Sequence, residues 1–139
     1  MYSPQLLPSL LGASSSIAFT AFFGTLLFNV YTWLFQGGGL SLEEAVANAP
    51  ASPIYTALSV ATSIAAGILG GMAAANLSTR TPYANSLTSA LVVLVWSLVL
   101  FASPLRETKA DTLGVIEAFG LPIPCALLGA YVIAWARRS

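Results

Sequence analysis

The stretch SVATSIAAGILGGMAAA, residues 59–75, decides the fold. Every fourth residue is small: Ser59, Ser63, Gly67, Gly71 and Ala75. A second register runs beside it through Thr62, Ala66, Gly70, Ala74 and Ser78. In water each glycine weakens a helix by roughly 1 kcal/mol relative to alanine. In lipid the backbone has no other partner, so the helix holds and its bare side becomes a docking surface. The stretch therefore reads as the central helix of a small membrane bundle.

Composition agrees with that reading. The chain has 139 residues, of which 57% are hydrophobic and only 7% charged. Its mean hydropathy is +0.82. A soluble domain carries about 25% charged residues, so the surface of this one cannot be mostly wet. A bilayer-crossing helix needs about 20 apolar residues. Runs of that length are predicted at 10–35, 54–77, 84–103 and 113–136, giving an all-α, four-span bundle that forms a single domain over residues 1–139. Five basic and five acidic residues cancel. None of them gathers into a patch that could grip nucleic acid. Histidine is absent, which removes the commonest metal ligand and the usual general base. No paired carboxylates, phosphate loop or metal-ligand cluster is legible, so the expectation is a protein without enzymatic activity, cofactor or metal.

Outward from the central run, residues 1–12 hold no lysine or arginine, so the charged region of a secretory signal is missing and the first run reads as a retained helix. Its polar residues Ser14, Thr25, Asn29, Thr32 and Gln36 recur at helical spacing. Tyr31 and Trp33 fall where that helix should leave the hydrocarbon. The longest connection follows. Ser41 with Glu44 three residues later matches a capping box and predicts a short surface helix through about Ala47. The loop after the third run is the most charged part, with Arg106, Glu107, Lys109 and Asp111. In the last run Pro122 and Pro124 each lack a backbone donor and predict a kink or break. Either the whole run is one kinked helix, or the part before Pro122 lies in the interface.

Four spans put both termini on one side. That side carries Arg80, Arg137 and Arg138 against Arg106 and Lys109, which favours cytoplasmic termini under the positive-inside rule. The layout of GILGGMAAA ahead of a short basic turn resembles many bacterial four-helix membrane proteins, which implies an inner-membrane location. The string GTLLFN, residues 24–29, looks like the GTLxVN stretch of the small four-helix fluoride channels, which work as antiparallel dimers. That likeness covers six residues. The FTTFST segment of those channels has no counterpart in the third run, SALVVLVWSLVLF, and the first run lacks their arginine.

Three features carry candidate function. The ladder of Ser59, Ser63, Gly67, Gly70, Gly71, Ala74 and Ala75 either lets helices of the same chain approach or forms a seam for a second copy or a larger membrane complex. The stripe of Thr25, Asn29 and Thr32 either bonds within the bundle, with Asn29 reaching the second or third helix, or lines a solute path. Glu117 is an acid within an apolar run. It either sits at the interface, reaching water or Arg106 or Lys109, or is buried and functional. Cys125 reads as a small packing residue. The reading taken from these is a non-catalytic accessory or assembly subunit in the lipid bilayer, docking through the small-residue seam. The alternative is a small oligomeric channel or transporter lined by the polar face of the first helix.

Overall fold

Glycine, alanine and serine, not leucine and phenylalanine, occupy the middle of the structure. The computed structural model describes residues 5–35, 39, 41–49, 52–102 and 112–138. Its helices are α1 (Leu6–Phe35), α2 (Leu42–Asn48), α3 (Pro53–Asn76), α4 (Pro82–Ala102), α5 (Thr112–Val115) and α6 (Pro122–Ala136), with a π-helical turn at Ile116–Gly120. No strand occurs among the described residues.

The buried hydrophobic residues are mainly alanines, including Ala13, Ala66, Ala74, Ala75, Ala90 and Ala130. Ser9, Ser16, Asn85, Ser86 and Ser89 are buried with them. Large apolar side chains point outward: Leu7, Phe22, Val95, Leu98 and Tyr131 are all exposed. A soluble protein that exposed so much apolar surface would associate, whereas a lipid-facing bundle requires it. Three helices, α1, α3 and α4, are long and apolar enough to cross a membrane. The α6 helix has 15 residues, about 22 Å at 1.5 Å per residue, and is shorter than a span. The first helix begins earlier than predicted, at Leu6, because Pro8 is tolerated in a first turn, and the predicted fourth run is divided among α5, the π turn and α6.

The α3 helix lies in the centre and touches α1, α4 and α6. The backbone N–H of Gln5 donates to Asn85 Oδ1 at 2.6 Å, and its side-chain Nε2 donates to Thr79 Oγ1 at 3.0 Å. Hence α1 begins where α3 ends and α4 begins. Arg137 reaches the same place, donating from Nη2 to the Asn76 carbonyl. Both ends of the described chain therefore gather at the turn between α3 and α4, with α6 running in the same direction as α3. At the far end Tyr31 packs on Tyr55 and Phe35, with ring centroids 5.1 and 5.3 Å away. Trp33 is exposed beside them.

The surface helix α2 opens with the expected capping box: Ser41 Oγ accepts from the Glu44 backbone N–H, and the Glu44 carboxylate accepts from the Ser41 N–H at 3.0 Å. The break at the prolines is also present. Without N–H groups at Pro122 and Pro124 the α ladder cannot run through, so five residues open into the π turn and α6 restarts at Pro122.

Candidate functional site: a hydroxyl-lined cavity with one carboxylate

The small-residue ladder is consumed inside the chain, and its two registers serve two neighbours. A Cβ placed on Gly67 would lie 2.6 Å from Cys125 Cβ, and one on Gly71 would fall within the backbone of Ala126. That register faces α6, where Gly129 makes the reciprocal close approach to Ile68 and Met72. The other register faces α1: a Cβ on Gly70 would lie 2.8 Å from the Gly12 carbonyl, and one on Gly12 would lie 2.6 Å from Ala74 Cβ. Ser86 of α4 adds a bond across the core, donating to the Gly71 carbonyl at 2.8 Å. Ala74 and Ala75 are fully buried and Cys125 is buried with them. The half of the bundle nearest the chain ends is thereby closed.

The other half is open inside. A cavity of about 250 Å³ lies between all the long helices. On α4 its wall runs from Ser89 to Phe101, about 18 Å of helix at 1.5 Å per residue. Small side chains create the space: Ser16 on α1, Gly67 and Gly70 on α3, Ala90 on α4 and Ala126 on α6 all line it. Ser16, Thr20, Ser63, Ser89 and Ser97 bring hydroxyls to the wall, while Val93, Leu100 and Leu121 supply apolar surface. Ser16 and Ser89 are only 6% and 2% exposed.

Glu117 stands on the wall of this cavity. Its Oε1 accepts from Ser59 Oγ at 3.0 Å and from Ser63 Oγ. Ser63 lies ten residues into α3 from Pro53, about 15 Å along the helix. Glu117 is half-buried and bonds to α3 from the π turn. Arg106 and Lys109, its expected partners, lie outside the described residues. Ser59 and Ser63, counted as seam residues, hold the carboxylate instead of a neighbouring backbone.

The stripe of Thr25, Asn29 and Thr32 does not reach this site. Thr25 and Asn29 are exposed on the outside of α1. Thr25 Oγ1 donates to the Ala21 carbonyl at 2.7 Å, Asn29 Nδ2 to the Thr25 carbonyl at 2.8 Å, and Thr32 Oγ1 to the Asn29 carbonyl at 2.9 Å. The expected bond from Asn29 to another helix is replaced by one within its own helix, because the side chain points away from α3 and α4. Residues 24–29, which carry the likeness to fluoride channels, do not line this cavity.

Sequence reasoning missed Ser16, Thr20, Ser89 and Ser97 as wall residues. The signal available was a serine-rich second face, Ser9, Gly12 and Ser16 on α1 against Ser86 and Ser89 on α4, which resembles ordinary close packing until the π turn opens a gap beside it. Comparisons with protein-family models, with curated proteins and with solved structures give no match, so the site rests on its geometry.

Proposed function

We propose that this chain is a small solute-binding transport protein of the membrane, with the interhelical cavity as the solute site. The observation that supports this most is the Glu117 carboxylate, held by Ser59 and Ser63 at the wall of a hydroxyl-bearing cavity. A carboxyl group costs several kcal/mol to place in charged form among apolar helices, which favours a role for it at the cavity it lines. The broken segment next to it fits the pattern in which discontinuous helices form solute sites. On this reading α5, the π turn and α6 together make the fourth crossing. The chain ends, with Arg80, Arg137 and Arg138, face the cytoplasm of a bacterial inner membrane.

Thiol labelling tests it. In a Cys125→Ser background, Ser97→Cys should react with a membrane-impermeant reagent from one side only, while Ser86→Cys in the closed half stays unlabelled. A Ser97→Cys that no reagent reaches from either side would make the cavity a dry packing gap and end the transport reading.

The accessory-subunit reading keeps one supporting observation. The seam is filled by the chain's own helices, but Thr25 and Asn29 face outward on α1, and polar groups there favour another transmembrane helix. Association of that kind would place a partner or a second copy on α1. Co-purification in mild detergent, with and without Asn29→Leu, tests it.

A further inference from the structure

We propose that the cavity selects a small monovalent cationic group, either a primary ammonium on a short apolar body or an alkali metal ion, with Glu117 as its counter-charge; this rests on the cavity being the solute site. Three observations lead there.

The first is sign. Among the described residues Glu117 is the only ionisable group on the cavity wall, and no described lysine or arginine lines it. The described arginines stand at the other end: Arg137 is spent on the Asn76 and Ser78 carbonyls, and Arg80 is exposed at the α3–α4 turn. A lone carboxylate in a low-dielectric wall repels anions and attracts cations. It thereby excludes the fluoride that the likeness in residues 24–29 would suggest.

The second is hydrogen-bond capacity. Both serine bonds fall on Glu117 Oε1, and Oε2 has no hydrogen-bond partner among the described residues. Ser16 and Ser89, both nearly buried, line the same space. An ammonium has three N–H donors and no acceptor, and these oxygens are acceptors with lone pairs to spare. The same oxygens would replace part of the hydration shell of an alkali ion, which takes hard oxygen ligands.

The third is size. A volume near 250 Å³ is below the range of about 300–1,000 Å³ typical of drug-sized ligands. With roughly 30 Å³ per water, it holds a small hydrated ion or a compact amine. Val93, Leu100 and Leu121 give an alkyl body somewhere to lie.

The test is ligand-dependent thermal stability of the purified full chain in detergent, since a ligand that binds only the folded state raises stability in proportion to its occupancy. Methylammonium, butylammonium, sodium and potassium chlorides are compared at constant ionic strength, with N-methyl-glucammonium chloride as the bulky control. A saturable rise in Tm with at least one of the first four, absent with the control, supports the inference. A response to the ammonium salts alone names an amine, and a response to sodium or potassium alone names a metal ion. Glu117→Gln keeps an acceptor oxygen for Ser59 and Ser63 while removing the charge, and should weaken the apparent affinity about tenfold or more. Two outcomes overturn the inference: no saturable rise with any of the four in the parent protein, or an unchanged rise in Glu117→Gln. Where Ser97→Cys labels and no cation binds, the cavity is a wet site for a neutral solute; the cation assignment falls and the transport reading survives. Because the parent protein alone discriminates between the probes, a poorly folding variant does not shield the inference.

Discussion

Arg137 Nη2 donates to the main-chain carbonyl of Asn76 at 2.6 Å, and Nη1 donates to the Ser78 carbonyl at 3.3 Å. The end of α6 thus closes the end of α3, supplying donors to carbonyls that a helix C-terminus leaves unpaired and placing a positive charge at its negative pole. Arg137→Ala should cost about 1 kcal/mol in detergent unfolding, since the pair is partly solvated. The neighbouring Arg138→Ala should leave the midpoint unchanged. Equal effects from the two would mean that charge alone, not the cap, is at work.

Acid should loosen α2 before the bundle. The backbone N–H of Ser41, then its hydroxyl, hold the Glu44 carboxyl below the ordinary value of 4.5. A depressed pKa in the folded state means that the capping contribution is present above the unfolded value. It is lost as pH falls through the folded one. Amide exchange across residues 42–48 should therefore accelerate as pH is lowered below that range, once the intrinsic pH dependence of exchange is removed. Glu44→Gln should abolish the pH dependence, and a parent protein without one would show that the box is not formed in solution.

How much of this was legible beforehand depends on the range of the interaction. The Ser41–Glu44 box needs only three residues of separation, and the sequence states it outright. The α3 ladder needs only the rule that small residues permit close helices, and Gly67 against Cys125 follows that rule. Which neighbour each register meets depends on the path of the whole chain, and no local pattern carries it. The bonds of Glu117 to Ser59 and Ser63 were hidden for a sharper reason. A regular helix through residues 113–136 leaves its direction undetermined, and the π turn that Pro122 and Pro124 impose changes the phase by part of a turn. The cavity wall draws on elements far apart in the chain, so it could not be assembled from spacing. Asn29 was expected to seek another helix because an amide in lipid needs partners. The Thr25 carbonyl one turn back meets that need first.

Asn29→Leu should therefore leave the isolated chain nearly as stable as before. Its Nδ2 bond stays within α1, and polar bonds in membrane helices average about 0.6 kcal/mol even when they cross between helices. Thermal unfolding of monomeric protein in detergent gives the comparison. A midpoint shift worth more than about 1 kcal/mol would show that the amide meets something beyond its own helix, and α1 would then need a covering partner.

The closed half of the bundle makes the strongest claim about packing, and two glycines test it as a pair. A Cβ at Gly71 would overlap the backbone carbonyl of Ala126, while one at Gly24 would find nothing within 4 Å. Both residues lie in helices of similar apolar character, so propensity and lipid solvation affect the two alike. Gly71→Leu must push α6 away from α3, dragging Gly129 from Ile68 and Arg137 from Asn76. Overpacking of this kind costs about 3 kcal/mol or more where the obstacle is backbone and cannot rotate aside. Gly24→Leu adds a side chain to an open outer face and should change stability by no more than about 0.5 kcal/mol. Even Gly71→Ala should destabilise measurably, because the first added carbon is the one that collides. Unfolding in detergent, followed by helical circular dichroism, ranks the three variants. If Gly71→Leu and Gly24→Leu behaved alike, α3 and α6 would not be in backbone contact, and both the closed half and the cavity beside it would lose their basis.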